Sequence, residues 1–205
     1  MKYAILSDIH SNIQALQAVI QDMQDNHDID EVINLGDIVG YGAHPNSCIT
    51  TVANIAGISV MGNHDSAVCD LMNYSFFNPY AKEAIEFTKS RISGENMNFL
   101  KDQPIEHRIG SAVFVHSSPM FPENWSYILN KDTANFVFVT MDQSIEIVFI
   151  GHSHIPTVYI QSGEEIIKTY EKHVYFQDSR AIVNVGSVGQ PRDGDSRACY
   201  AIFDT

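Results

Sequence analysis

The chain is poor in positive charge, in cysteine and in long apolar runs. Lysine and arginine number 12 against 25 aspartates and glutamates, a formal charge of −13. Such a surface repels nucleic acid and anionic lipid, which basic patches normally hold. No basic tract exists for a long nucleic-acid backbone to follow. The three cysteines, Cys48, Cys69 and Cys199, are far apart and odd in number. They form neither a disulfide framework nor a CxxC metal knuckle, and a reduced cytoplasmic setting suits them. No stretch approaches the roughly 18 consecutive apolar residues of a membrane span. The opening MKYAILSDIH reaches Ser7 and Asp8 too soon for a secretory apolar region, so neither leader nor membrane is expected. Internal repeats, low-complexity tracts and Gly/Ser-rich linkers are also missing.

What is present is ordinary globular material. With 205 residues, 44% hydrophobic and 18% charged, the chain can bury a sizeable core in one domain spanning residues 1–205. An apolar strand over Tyr3–Leu6 leads to Ser11, which reads as a helix N-cap with Gln14 three residues on. Ile13, Leu16, Val19, Ile20 and Met23 then recur at helical spacing. Strands are predicted over Glu31–Leu35 and Ile58–Met61, with helices over Pro45–Ala56 and from Asn78-Pro79 onward. The second half is richer in strand patterns: Ser111–Val115, Ile145–Ile150, Thr157–Ile160, Ile166–Phe176, Ala181–Val185 and Ala198–Phe203. Ala134–Met141 suits either a strand, by its β-branched content, or a crossover helix, by its position. Alternating strands and helices followed by a strand-rich half predict an α/β sandwich with mixed sheets. The chain stops at Thr205, two residues after an apolar run, and a further strand or two is expected to be missing.

The polar residues fall where chemistry is expected. Asp8 and His10, Asp37, Asn63 and His64, His116, and His152 with His154 each lie just beyond a predicted strand. The C-terminal edge of a parallel sheet is where α/β folds bind ligands. Residues two apart in an extended segment point the same way, so Asp8 can converge with His10 on one ion. His152 and His154 can do the same, or hold two adjacent ions. Glycine precedes the ligand in Gly36-Asp37, Gly62-Asn63 and Gly151-His152. Two carboxylates, four imidazoles and one amide are too many for one four-coordinate ion and suit two ions sharing an aspartate. An imidazole-rich set favours Mn, Fe, Zn or Ni over Mg or Ca. Any one of these motifs occurs by chance, and a strand-end aspartate is more often a helix cap; the ordered set is what is specific.

That ordered set resembles the calcineurin-like metallophosphoesterase family, the small bacterial and archaeal phosphoesterases most of all. The resemblance rests on DxH (Asp8, His10), GD (Gly36-Asp37), GNHD (Gly62 to Asp65), the lone His116 and GHxH (Gly151 to His154). Residues 184–192, NVGSVGQPR, are similar to the family's closing NPGS loop, with Val185 where proline is usual. Membership implies a four-layer α/β/β/α sandwich with two mixed β-sheets. It implies that Asp8, His10, Asp37 and His154 hold one metal while Asp37, Asn63, His116 and His152 hold the other, with Mn preferred.

Two divalent ions about 3.5–4 Å apart can clamp a phosphoryl oxygen, and a bridging hydroxide would attack phosphorus in line. His64, one residue past Asn63, suits a general acid for the leaving alkoxide, with a purely structural role beside the ligands as the plainer reading. Asp65 is placed either to orient that imidazole or to cap the next helix. Arg192 is a candidate contact to substrate phosphate or a surface ion pair with Asp193 and Asp195. His44 either lines the rim or, more plainly, is a loop histidine, and Trp125, Phe76, Phe77 and Tyr80 either wall the cleft or pack the core. Protein phosphatases and dinucleotide-polyphosphate hydrolases of the family carry an arginine in GDxxDRG, where this chain has GDIVGYG. A small phosphodiester or phosphomonoester is therefore the preferred partner. A noncatalytic interaction scaffold is the rival, but it would be expected to lose ligands that this sequence keeps.

Overall fold

The structure, a computed structural model, describes residues 1–175 and 179–205. Strand β1 (Lys2–Leu6) opens the chain, and helix α1 (Ile13–Asn26) comes after it. The predicted cap at Ser11 is displaced by one residue: Asn12 accepts the Ala15 N–H at 3.1 Å. Ser11 has a left-handed backbone, φ 54°, and its N–H is committed to the Ile38 carbonyl at 2.8 Å. β2 (Glu31–Asn34), α2 (Pro45–Ile55) and β3 (Ala56–Ser59) come next. β3 begins two residues earlier than the apolar pattern predicts, and beyond its end the Val60 N–H still donates to the Asn34 carbonyl at 2.9 Å. α3 (Asn63–Val68), α4 (Pro79–Lys89, capped by Asn78) and α5 (Gly94–Lys101, capped by Ser93) complete the first half.

The second half runs β4 (Glu106–Ile109), β5 (Ala112–Val115), α6 (Lys131–Thr140), β6 (Ile147–Ile150), β7 (Thr157–Ser162), β8 (Glu165–Thr169), β9 (Arg180–Asn184) and β10 (Ala201–Asp204). The ambiguous segment is the helix α6: Ala134, Val137 and Phe138 are buried at helical spacing, and Asn130 caps it through the Thr133 N–H. The strand predicted over Ile166–Phe176 ends at Thr169, and its last residue, Phe176, lies outside the described residues.

One sheet has the order β10-β1-β2-β3, the other β4-β5-β6-β9-β7-β8. β1, β2 and β3 are parallel, as are β5, β6 and β9; the remaining pairings are antiparallel, so both sheets are mixed. Three apolar clusters separate four layers. Ala4 and Leu6 of β1 join Leu16, Ile49 and Ile85 on the helix side, while Tyr3 and Ile5 face the second sheet. β6 divides the same way: Ile147 and Phe149 point between the sheets, Val148 and Ile150 toward Phe138 of α6. Strands buried on both faces read as continuous apolar runs, which is why these are legible. The chain is thus a four-layer α/β/β/α sandwich, and the C-terminal edges of both parallel strand sets meet at one rim.

Phe114 and Phe149 stack between the sheets, with ring centroids 5.2 Å apart and planes 8° from parallel. Phe149→Ala removes that inter-sheet filling and is expected to cost about 3–5 kcal/mol. The measurement is the urea midpoint; an unchanged midpoint would mean the sheets do not depend on this contact.

Candidate metal centre

Five strand ends deliver the ligand-type residues. Asp8 and His10 follow β1, Asp37 follows β2, Asn63 follows β3, His116 follows β5, and His152 and His154 follow β6. All seven are buried, none more than 7% exposed. Asp8, His10 and His154 bring ligand atoms within 4.8 Å of one another, and so do Asp37, His116 and His152. The groups touch: His154 Nε2 is 3.1 Å from Asp8 Oδ1, His116 Nε2 is 3.3 Å from Asp37 Oδ2, and His10 Nε2 is 3.7 Å from Asp37 Oδ2. Asn63 Oδ1 is 3.2 Å from His116 Nε2.

Each imidazole is held from behind. Nδ1 of His10, His116 and His154 donates to the carbonyls of Val39, Leu35 and Gln190 at 2.9, 2.8 and 2.6 Å. His152 uses Nε2, which donates to the Trp125 carbonyl at 2.9 Å. A carbonyl only accepts, so these bonds fix the tautomer and turn the opposite nitrogen inward. His10 and His154 then face each other Nε2 to Nε2 at 3.1 Å, and His116 Nε2 lies 3.2 Å from His152 Nδ1. Bare ring nitrogens at such separations repel unless a proton or a metal cation lies between them. Asp8 Oδ1 is buried and accepts no hydrogen bond from the described residues. This donor set fits divalent transition-metal ions.

The backbone is contorted to make the convergence. Asp8, His10, Asp37, His152 and His154 all have positive φ, between 48° and 65°, a region that non-glycine residues occupy at a cost. The glycines serve close approach: a Cβ on Gly62 would sit 2.2 Å from Asp37 Oδ1, and one on Gly151 would sit 1.9 Å from Ser7 Oγ.

The charges answer to one another. Burial works against ionising Asp8 and Asp37, but the surrounding imidazoles, His154 for Asp8 and His116 for Asp37, hold both carboxyls below the usual range. Burial pushes His10 and His152 down to about 3. His116 is buried too, yet Asp37 outweighs that and lifts it to about 9. The cluster therefore favours a positive charge between Asp37 and Asp8.

His64 lies beside the ligands. One of its ring nitrogens is within 4.8 Å of ligand atoms of His10 and Asp37, and its ring packs on His10, Tyr41 and Phe77 at 4.9, 4.9 and 5.2 Å. Its Nδ1 has no hydrogen-bond partner among the described residues, and burial lowers its pKa. Asp65 does not touch it. The Asp65 carboxylate accepts backbone N–H groups of Ile38, Val39 and Gly62 at 3.3, 3.1 and 3.1 Å, so it caps α3 and clamps the Gly36-Asp37 loop to it. A side chain two residues past Asn63 on a helical turn points back at the helix start, which corrects the expectation that it orients His64. Burial, and then Asp37, push Asp65 up to about 7.

Arg192 is exposed, and its Nη2 donates to Gln190 Oε1 at 2.9 Å; the ion pair with Asp195 is made by Arg197 instead. Two rim residues carry no sequence signal. Tyr127 stacks on His152 with ring centroids 3.9 Å apart, where burial pushes its hydroxyl pKa up, and Tyr41 stands edge-on to His10. Trp125 supplies its carbonyl to His152 and an edge contact to His116. Phe77 walls His64, whereas Phe76 and Tyr80 are 73% and 79% exposed.

The family model described as the calcineurin-like phosphoesterase superfamily domain matches residues 1–205. The chain belongs to that superfamily. A metallophosphoesterase from Sphaerobacter thermophilus is 38% identical, with a TM-score of 0.84 over 99% of this chain and 83% of that one. An uncharacterized protein of Methanocaldococcus jannaschii is 42% identical over 98% of this chain and 82% of its own length. A hypothetical protein of Pyrococcus horikoshii shares the fold, with a TM-score of 0.74 at 19% identity over 99% of this chain and 83% of that one. In this calcineurin-like chain, no helix among the described residues is long and apolar enough to cross a membrane.

Asp65→Ala leaves three buried N–H groups without an acceptor and is expected to lower stability by about 3 kcal/mol. Chemical denaturation of the metal-loaded protein measures it. An unchanged midpoint with lowered turnover would return the carboxylate to a role on His64.

Proposed function

We propose that this chain is a dinuclear-metal hydrolase of small phosphoesters. The convergence of four inward-facing imidazole nitrogens on two buried carboxylates carries the reading. Asp8, His10, Asp37 and His154 would hold one divalent ion, and Asp37, Asn63, His116 and His152 the other, with Mn the preferred metal. When bound, such ions supply Lewis-acid polarisation of phosphoryl oxygens and an activated water. His64 delivers a proton to the departing alkoxide: it borders both ligand groups and its Nδ1 is otherwise unpartnered among the described residues. Arg192, free of Asp195, reaches for phosphate from the rim.

Small size of substrate follows from charge. At −13 the protein repels polyanions, and attraction is confined to the cation site itself. Cys48, Cys69 and Cys199 are free thiols, in keeping with a reducing cytoplasmic setting.

The test has two parts. Protein reconstituted with Mn is expected to retain two equivalents by elemental analysis, and fewer than one would remove the dinuclear reading. His64→Ala is expected to cut turnover of alkyl phosphoesters by roughly 10²-fold or more while changing nitrophenyl esters far less, because only a poor leaving group needs the proton. Equal losses on both would exclude His64 as the acid.

A further inference from the structure

A cavity of about 270 Å³ opens beside the ligand cluster, between residues 41–44 and Gly189-Gln190. His10, the candidate metal ligand, forms one wall, and Gln14, Tyr41, His44 and Gln190 provide the chemistry of the others. The walls are built on the ligand backbone. Gly42 N–H bonds to the His10 carbonyl at 3.0 Å, His44 N–H to Ser11 at 3.1 Å, and Gly189 N–H to Asp8 at 2.9 Å. Whatever enters this cavity is therefore positioned relative to the metal ligands.

The lining selects the occupant. Among the described residues no carboxylate, lysine or arginine lines the cavity itself; the basic groups near it are the imidazoles of His10 and His44 in its wall and Arg192, which donates to Gln190 Oε1 at its edge. The side chains of Gln14, Tyr41 and His44 make no hydrogen bond to another described residue, and Gln190 spends only Oε1, on Arg192. Paired amide donors and acceptors beside an aromatic ring match the edge and face of a nucleobase. At about 270 Å³ the cavity is just under the roughly 300–1,000 Å³ of sites for drug-sized ligands, room for one ring system and not for a peptide.

We propose that this cavity is a subsite for an uncharged, hydrogen-bonding ring group of the nucleoside class, carried by the ester whose phosphate meets the metal ligands. The proposal rests on the phosphoester reading above. Two diesters with the same leaving group test it: thymidine 5′-(p-nitrophenyl phosphate) and methyl p-nitrophenyl phosphate. The Mn-loaded wild type is expected to favour the thymidine ester about tenfold or more in kcat/KM. That ratio is expected to fall toward one in Gln14→Ala, an exposed position on the first turn of α1, and in Ala43→Phe, which puts a bulky ring at a lining position. Calorimetric titration of thymidine alone should give binding to the wild type and none to Ala43→Phe. A wild-type ratio near one without thymidine binding, or a ratio retained in both variants, overturns the subsite while leaving hydrolysis standing. Thymidine binding with neither ester hydrolysed supports the cavity and overturns the hydrolytic reading.

Discussion

Four hydrogen bonds from imidazole N–H groups to backbone carbonyls govern everything else at the rim. The carbonyls belong to Val39, Leu35, Trp125 and Gln190, one each for His10, His116, His152 and His154. Because the acceptors are main chain, ring orientation is set by where the loops lie and not by side-chain packing alone. The loops are tied in turn. Asp65 holds residues 38–39 to Gly62, Ser187 Oγ donates to the Asp8 carbonyl at 2.8 Å, and His152 N–H donates to Asp8 Oδ2 at 2.9 Å. A shift in any one loop would misaim a ring, so the donor geometry is as rigid as the backbone that carries it.

That rigidity is opposed by local conformation. Left-handed backbone at five of the seven ligand-type positions costs on the order of 1 kcal/mol or more each, and buried like-charged and bare groups add to it. The compensation lies in the layers beneath. Tyr3, Ile5, Ile33 and Leu35 from one sheet meet Phe114, Phe149 and Val183 from the other, which fixes both parallel strand edges at the same height. The apolar clusters thus hold strand ends together that their own polar residues would drive apart.

The same division explains what is legible in the sequence. β1, β2, β5 and β6 are rich in residues buried on both faces, so their apolar runs stand out, and the ligand residues sit directly after each run. α3 escapes prediction because it is only six residues long and opens with the polar Asn63, His64 and Asp65, leaving Ala67 and Val68 too few to show an apolar period. β4, EHRI, is an edge strand whose polar residues hide the pattern. Ser11 resembles a cap because sequence does not reveal that its N–H docks on Ile38. Adjacency pairs Asp65 with His64, whereas a helical turn sends neighbouring side chains in different directions. Tyr41 and Tyr127 come from loops, where no periodicity marks a residue that will stand over a distant histidine.

The site also joins the two sheets chemically. Asp8, His10, Asp37 and Asn63 extend from one sheet, His116, His152 and His154 from the other, and the imidazole–carboxylate contacts of His154 with Asp8 and of His116 with Asp37 cross between them. A cation held there binds only when both sheets are in place, so its affinity adds to the stability of the sandwich by mass action. The same cation would reverse the local sign of a protein whose net charge is −13. Attraction for an anion is then short in range, because mobile ions screen it beyond a Debye length of about 8 Å and the acidic surface opposes it further out. On the proposed function, an ester with one phosphate and an uncharged remainder would meet both conditions: its charge would fit the cation site, and the rest of it would face a wall of amides and rings. A polyanion satisfies only the first.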